Sequence, residues 1–287
     1  MDFTKMQGAG NDFVLVDGGA AHRRDWSKLA IAMCDRHYGV GADSVLVLLP
    51  SSKADFTMRT FDADGSEAET CGNGLRCLAR HVLNRGLIGP GAEGVAIETL
   101  TRIVKVRFER EGGRVVKFWA NMGKPGLEAS QIPVAVKPGN GNLVDIKSLL
   151  GYKVSVNGFD LVLNLVSMGN PHAVHFSETP VASFPLDTIG PKVENLPVFP
   201  NRVNFEVARV LDAGHLEARV WERGVGETLA CGSGACAITV ASKLHGYTEP
   251  KVDISLPGGT LNVEWNGARE VILGGPAEEV FTGHWPD

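Results

Sequence analysis

One short unit occurs twice in this chain: Cys71-Gly72-Asn73-Gly74 is followed, 160 residues later, by Cys231-Gly232-Ser233-Gly234. Each copy opens an apolar segment with helical spacing, and each segment closes at a glycine, Gly86 or Gly246. The likeness continues upstream, because a glutamate precedes each cysteine by four residues. The repeat predicts an internal duplication, in which two domains of similar fold each contain a central helix that begins at a cysteine.

Short β-strands are predicted to surround these helices. Apolar and polar residues alternate, as in half-buried strands, over residues 56–61, 103–108, 216–221 and 260–265. Residues 45–49 and 161–166 are more continuously apolar. Glycine is frequent, at 35 of 287 residues, which favours many tight turns between short elements. The predicted fold class is therefore α+β: two pseudo-symmetric domains, each a largely antiparallel sheet curled around a central helix.

The domain boundaries are predicted from the repeat and from turn-forming residues. Residues 121–126 contain two glycines and a proline and form the predicted crossover. Residues 1–120 then make the N-terminal domain and residues 121–275 the C-terminal domain, each with one cysteine of the repeated unit. Residues 276–287 are expected to rejoin the first domain, and the active site is expected in the cleft between the two.

Bulk properties exclude several classes of protein. The net charge of -5 and the scattered basic residues argue against a nucleic-acid partner. No apolar run reaches the ~18 residues of a membrane span, and the first residues lack the pattern of a signal peptide, so we expect a cytoplasmic protein that does not contact a membrane. The glycine-rich segments lack the strand-and-helix context of a nucleotide-binding motif, and no Cys/His cluster with zinc spacing occurs. A homodimer is left open.

Three other cysteines are given no role, because they lie within helical patterns and are expected to pack as small apolar groups. These are Cys34, Cys77 and Cys236. The first of them belongs to a peripheral helix predicted over residues 26–37, with Asp25 or Ser27 as its N-cap.

The two repeated cysteines have the setting of reactive thiols. A cysteine at a helix start meets unpaired N–H groups and the positive end of the helix dipole, which favours the thiolate. The pKa of Cys71 and of Cys231 is therefore predicted to fall below the usual thiol value. The glycines that follow leave the backbone bare, so a carboxylate can approach the same N–H groups.

Two such turns in a duplicated chain suggest a substrate addressed from both faces. One thiolate would remove the α-proton while the opposite thiol returns a proton to the other face, which inverts the stereocentre. The two helix starts would stabilise the charge that develops on the substrate carboxylate. The residues thus favour a two-base racemase or epimerase, with one cysteine ionised and the other neutral.

Four motifs resemble the diaminopimelate epimerase family, in its order and over nearly the whole chain. They are residues 8–13, residues 64–74, Asn170-Pro171-His172, and residues 221–228 running into the second Cys-Gly-x-Gly unit. The resemblance implies interconversion of LL- and meso-diaminopimelate, on the route to lysine and peptidoglycan. It implies no pyridoxal phosphate, no metal and no other cofactor.

The resemblance also implies roles for individual residues. Cys71 and Cys231 would be the proton acceptor and donor, and His172 and Glu222 would tune their ionisation. The implied substrate-binding residues are Asn11, Asp62, Gly72, Asn73, Asn170, Asn204, Glu222, Arg223, Gly232 and Ser233. Among these, the planar guanidinium of Arg223 suits the distal carboxylate of the substrate.

The chain departs from the family pattern at two positions. Asp62 stands where the family commonly has asparagine, and Ser44 where it often has glutamine. A carboxylate cannot donate a hydrogen bond to another carboxylate, so Asp62 is expected to pair with the distal ammonium group. Arg223 would then hold the distal carboxylate.

Three alternatives stay open at this point. Racemases of proline, hydroxyproline or histidine use a related scaffold, although proline-type relatives usually have histidine where this chain has Asn73. Phenazine-type isomerases use a carboxylic acid, and the two retained cysteines argue against that class. A protein that only binds a carboxylate ligand would not exchange the α-hydrogen.

Overall fold

A computed structural model describes residues 1–19, 24–68, 71–134 and 150–286 of the chain. The chain divides into two compact units. Unit 1 consists of Met1–Asn121 and Gly274–Asp287, and unit 2 of Met122–Leu273. Each unit contains one of the repeated Cys-Gly-x-Gly turns.

The described residues of unit 1 form a largely antiparallel sheet and two helices. Its strands are β1 (Asp2–Gly8), β2 (Asn11–Asp17), β3 (Ser44–Leu49), β4 (Phe56–Asp62), β5 (Glu67–Ala68), β6 (Gly94–Glu98), β7 (Ile103–Glu111), β8 (Arg114–Gly123, which crosses the unit boundary) and β18 (Glu278–His284), and its helices are α1 (Trp26–Cys34) and α2 (Gly72–Asn84). Strands β18, β1, β2, β3, β4, β6, β7 and β8 pair in that order. The β2–β3 and β4–β6 pairs are parallel and the others antiparallel.

Unit 2 repeats this arrangement. Its strands are β9 (Tyr152–Val156), β10 (Phe159–Ser167), β11 (Pro171–Phe176), β12 (Asn204–Val210), β13 (His215–Glu222), β14 (Gly226–Thr228), β15 (Lys251–Leu256), β16 (Gly259–Glu264) and β17 (Val271–Gly275), and its helices are α3 (Leu186–Glu194) and α4 (Gly232–Leu244). Strands β9 to β13, β15 and β16 pair in that order, with β11–β12 and β13–β15 parallel.

The two units agree in register as well as in strand order. In unit 1, Leu46 of β3 faces Thr60 of β4; in unit 2, Glu206 of β12 faces Val220 of β13, and both positions are 160 residues further on. A short strand, β5 or β14, then leads into the cysteine that precedes the central helix. The duplicated segment therefore includes the strands that position each cysteine.

The two central helices are buried because of their composition. Helix α4 has buried side chains on almost every side from Ala235 to Ala241, as its apolar sequence predicts. Helix α2 buries Leu75, Leu78 and Val82 on one face. Truncation of a fully buried leucine such as Leu78 to alanine would cost about 2–5 kcal/mol of unfolding free energy.

Both central helices end where the sequence predicts. Gly86 and Gly246 follow them with φ values of 66° and 73°, a left-handed conformation that glycine adopts without strain. Helix α1 is shorter than the predicted 26–37. It ends at Cys34 because the Asp35 side chain accepts hydrogen bonds from the N–H groups of His37 and Tyr38, which turns the chain.

Several local predictions agree with the structure. Five of the six predicted strand segments lie within β3, β4, β7, β10 and β13, and the sixth, 260–265, extends one residue beyond β16. Asp25 caps α1, whereas the hydroxyl of Ser27 donates to the carbonyl of Gly65. The cysteines expected to pack in the core, Cys34, Cys77 and Cys236, are buried. Within the described ranges, no helix combines the length and the apolar character needed to cross a membrane.

Candidate active site

In unit 1, Cys71 stands at the N-cap of α2 with an extended backbone (φ -122°, ψ 110°). Its Sγ accepts a hydrogen bond from the N–H of Gly74 at 3.4 Å, which satisfies one of the free donors of the helix start. A Cβ atom on Gly74 would lie 3.0 Å from Leu46 Cδ2 and 3.4 Å from Cys71 Cβ. Glycine at this position therefore lets the helix start sit directly on β3.

Two asparagines predicted to bind substrate flank this thiol. Asn73 Nδ2 donates to Asn11 Oδ1 at 3.1 Å, and the same oxygen lies 3.8 Å from Cys71 Sγ. The other end of the Asn11 amide donates to Asp43 at 2.6 Å, so its orientation is fixed. Arg76, fully buried, donates to Asn73 Oδ1 at 2.7 Å and fixes the second amide.

Asp62 forms a separate contact at the ends of β3 and β4. The Ser44 hydroxyl donates to Asp62 Oδ1 at 2.8 Å. Burial raises the pKa of Asp62, and the nearby charges of Asp64 and Asp43 add to the rise, while the hydrogen bond from Ser44 opposes it. The two residues in which the chain departs from the family pattern therefore contact each other.

In unit 2, Cys231 occupies the N-cap of α4 with nearly the same backbone angles as Cys71 (φ -120°, ψ 115°). Its side chain is buried, and its Sγ lies 3.5 Å from the hydroxyl of Ser233. Gly232 is the first residue of the helix and is also buried. The repeated unit thus forms the same turn in both halves of the chain.

Glu222 lies beside this thiol. Thr228 donates to its carboxylate at 2.6 Å. Burial raises the pKa of Glu222, and the negative charge of Glu206 adds to the rise; hydrogen bonds from Thr228 and Cys231 and the charge of His172 act in the opposite direction. The Glu222 carboxylate and the Cys231 thiol therefore influence each other's pKa.

The predicted fall in thiol pKa is wrong for Cys231. Burial raises the pKa of this thiol well above its ordinary value, and the charges of Glu222 and Glu206 raise it further. The hydrogen bonds from Ser233 and from the N–H of Gly234 favour the thiolate but do not compensate. Loss of hydration outweighs the helix-start effect here, so Cys231 is a neutral thiol at pH 7.

The Asn-Pro-His motif lies at the start of β11. His172 is fully buried; its Nδ1 is 2.6 Å from Glu206 Oε1 and its Nε2 is 2.9 Å from Asn170 Oδ1. Asn170 Nδ2 in turn donates to the Ser233 hydroxyl at 3.4 Å. These contacts bring Asn170 and His172 to the Cys231 turn.

Asn204 and Arg223 are joined by their own hydrogen bonds. The Asn204 amide donates to the carbonyl of Pro171 at 2.9 Å and accepts from the backbone N–H of Arg223 at 3.0 Å. The Arg223 guanidinium donates to the carbonyl of Asn201 at 3.1 Å. The loop after β13 is thereby tied to the strand that carries His172.

The family model described as "Diaminopimelate epimerase" matches residues 3–127 and 164–280, which include both Cys-Gly-x-Gly turns. The chain belongs to the diaminopimelate epimerase family. Two curated members, both called diaminopimelate epimerase, show the extent of the likeness. The protein from Pelotomaculum thermopropionicum is 45% identical, with 100% of this chain and 99% of the relative covered, and that from Moorella thermoacetica is 47% identical over the same shares.

Solved structures with much lower identity share the fold of this diaminopimelate epimerase family member. A phenazine biosynthesis protein of the PhzF family from Bacillus anthracis is 16% identical, with a TM-score of 0.72 over 99% of this chain and 98% of its own. A probable proline racemase from Agrobacterium radiobacter is 15% identical, with a TM-score of 0.71 over 99% and 92%. The predicted fold class is confirmed.

Sequence reasoning missed Glu206. This carboxylate contacts His172, influences Glu222 and Cys231, and is fully buried, yet it belongs to no predicted strand and to no predicted site. The available signal was a charged residue between two apolar residues, Phe205 and Val207.

Proposed function

We propose that this chain interconverts LL- and meso-diaminopimelate by two-base proton transfer, with Cys71 and Cys231 as the two acid–base groups. The observation that carries the proposal is the repeated turn: both cysteines cap a buried helix with the same backbone conformation, in a chain of the diaminopimelate epimerase family. The relatives named for this activity match along their full lengths.

The proposed chemistry needs one thiolate and one thiol at the start of each turnover. In the first direction, Cys71 as thiolate removes the α-proton, and the electron pair left on the α-carbon is delocalised into the adjacent carboxylate. Cys231, which burial and Glu222 keep as a neutral thiol, gives its proton to the opposite face. The α-carbon is inverted, Cys71 becomes the thiol and Cys231 the thiolate. The first state is restored by the reverse reaction or, after product release, by proton exchange of the two cysteines with solvent.

The helix starts supply the electrostatic part of the proposal. Gly72 and Gly232 are the first residues of α2 and α4, and the backbone N–H groups at a helix start stabilise negative charge. Their bare backbones leave room for the substrate carboxylate as its charge grows. The proposal requires both thiols to reach the same α-carbon from opposite sides.

The distal amino-acid head of the substrate accounts for the other predicted binding residues. Arg223 would hold the distal carboxylate and Asp62 the distal ammonium group. Asn11, Asn73, Asn170, Asn204 and Ser233 would supply further donors and acceptors. The proposal is compatible with a cytoplasmic location, which cell fractionation tests. It is also compatible with a homodimer, which light scattering tests.

Exchange of the α-hydrogen tests the proposal directly. The purified protein is incubated with LL-diaminopimelate in deuterated water, and the product is examined by chiral chromatography and mass spectrometry. We expect meso-product that carries one deuterium at the inverted carbon. A protein that only binds the ligand gives no label, and inversion of proline in place of diaminopimelate would transfer the function to another amino-acid racemase.

A further inference from the structure

A continuous series of polar contacts joins a buried carboxylate to the Cys231 thiol. Glu206 Oε1 is 2.6 Å from His172 Nδ1, and His172 Nε2 is 2.9 Å from Asn170 Oδ1. Asn170 Nδ2 lies 3.4 Å from the Ser233 hydroxyl, which is 3.5 Å from Cys231 Sγ. All five residues belong to unit 2.

The innermost pair of this series is costly to bury. The side chains of Glu206 and His172 are both completely inaccessible to solvent. The second carboxylate oxygen, Glu206 Oε2, has no hydrogen-bond partner among the described residues. A buried carboxylate with one free oxygen destabilises a fold unless its charge is balanced, so packing alone gives no reason for glutamate at this position.

The carboxylate lies directly beneath the reactive turn. A Cβ atom on Gly234 would lie 3.0 Å from Glu206 Oε1 and 3.3 Å from Cys231 Cβ. Glycine at position 234 therefore makes room for the carboxylate under the first turn of α4, where the positive end of the helix dipole stabilises its charge.

Unit 1 shows that the same fold forms without this pair. The position that matches Glu206 in the β-sheet register is Leu46, and the position that matches His172 is Phe13. Leu46 Cδ2 lies beneath Gly74 at the same 3.0 Å from a Cβ that Glu206 Oε1 keeps beneath Gly234. The architecture accepts an apolar pair in one half and holds an ionisable pair in the other.

We propose that Glu206 is a positioning residue of the reaction that acts through His172. Its carboxylate accepts the Nδ1–H of His172 and fixes the orientation of the ring. The fixed ring holds Nε2 beside Asn170 Oδ1, and Asn170 Nδ2 donates to the Ser233 hydroxyl. Ser233 is thereby aligned beside the Cys231 thiol. The inference rests on the proposed epimerase function. It adds a residue that sequence reasoning did not select and that does not touch substrate.

A double-mutant cycle tests whether Glu206 acts through His172. The variants are E206L, H172F and the double variant, which recreates the Leu46–Phe13 pair of unit 1. E206L is expected to lower kcat by about 10- to 100-fold, the range for loss of a residue that orients a functional ligand. H172F is also expected to lower kcat, and E206L in the H172F background should cost no further activity. Independent, multiplicative losses would overturn the proposal.

Two further variants separate positioning from general damage. E206Q keeps an acceptor oxygen for Nδ1–H and should recover part of the activity lost in E206L. E264Q removes a carboxylate of the same unit that pairs with Lys251 at 2.9 Å, and its kcat should stay within twofold of the parent. The double variant should melt at a higher temperature than H172F, because it no longer buries the unpaired Glu206 carboxylate. If H172F does not fold, H172N takes its place in the cycle.

Alkylation of Cys231 provides a readout that does not depend on turnover. The charged residues that act on this thiol are Glu222 of β13 and Glu206 of β12, with His172 of β11 acting on Glu222. Iodoacetamide labelling of the Cys231 peptide is followed by mass spectrometry across pH. In E206Q the midpoint should move to lower pH, because one negative charge has been removed, and in E264Q it should not move.

The outcomes separate the two proposals. If the parent protein does not epimerise diaminopimelate, the proposed function fails, and the labelling experiment still reports whether Glu206 acts on the Cys231 turn. If the parent is active while E206L keeps full kcat and E206Q keeps the parental labelling midpoint, the role of Glu206 is overturned and the proposed function stands.

Discussion

Replacement of Gly190 by alanine is expected to destabilise unit 2 and to disturb Glu222. A Cβ atom on Gly190, in α3, would lie 2.6 Å from Cγ and Cδ2 of Trp221 and 2.9 Å from its Cε3. Carbon atoms normally meet at about 3.5–4.0 Å, so the indole must move by roughly 1 Å. Trp221 immediately precedes Glu222 and donates from Nε1 to Glu194 at 2.8 Å, so this movement weakens a hydrogen bond and shifts the residue beside Cys231.

The size of the effect follows from opposing contributions. Glycine to alanine in a helix interior normally gains about 1 kcal/mol, but Pro191 follows and disfavours a helical alanine before it. Overpacking costs about 1–3 kcal/mol, and the weakened Trp221–Glu194 bond about 0.5–1.5 kcal/mol. We expect a net loss of about 1–3 kcal/mol, which at ~2–4 °C per kcal/mol lowers the melting temperature by roughly 2–12 °C.

Differential scanning calorimetry of G190A measures this loss, and the epimerisation rate measures the displacement of Glu222. Gly89 is the matched control, because a Cβ there meets nothing within 4 Å and its backbone needs no left-handed conformation. G89A should melt within about 1 °C of the parent, since surface substitutions usually change stability by less than 0.5 kcal/mol. A G190A protein that melts at or above the parental temperature would refute the reasoning from the Trp221 contact.

Four other substitutions have defined outcomes. C71A and C231A should each abolish epimerisation while circular dichroism and melting stay close to parental values; substantial turnover by either variant would reject the two-base scheme. R223A should raise the KM for diaminopimelate at least tenfold without a comparable change for inhibition by a mono-amino acid, as expected if its guanidinium holds the distal carboxylate. D62N should raise the melting temperature at pH 7. Burial raises the pKa of the Asp62 carboxyl in the folded protein, so the folded state loses stability relative to the unfolded chain as the pH rises from the unfolded-state pKa past the folded-state pKa. Asparagine carries no charge and avoids this loss. The gain should shrink as the pH falls well below the unfolded-state pKa, where both states are protonated, and a gain of equal size at pH 3 and pH 7 would contradict this assignment.

Most of the fold follows from local signals. Four of the predicted strands alternate between a core face and a solvent face, and two are continuously apolar. The central helices were predictable because each starts at a Cys-Gly-x-Gly unit and ends at a glycine in the left-handed conformation. The early end of α1 was not predictable from periodicity. It depends on the Asp35 side chain, which competes with the helix for backbone N–H groups.

The chemistry of the site was less accessible than its residues. The sequence gives the position of Cys231 at a helix start, but the direction of its pKa shift depends on burial and on the Glu222 and Glu206 carboxylates, which other strands bring to it. Glu206 and His172 are 34 residues apart in the chain and lie on adjacent parallel strands, β12 and β11. No local pattern contains that information, so a prediction based on the helix dipole alone had the wrong sign for this thiol.

The protonated state of Cys231 has a consequence for covalent inhibitors. Electrophiles such as haloacetamides and acrylamides react with the sulfur anion, and a thiol whose pKa is raised by burial and by neighbouring carboxylates is a poor nucleophile toward them. A warhead aimed at the second half of this chain would have to bring its own cationic group beside Glu222, so that binding itself releases the proton before the bond forms.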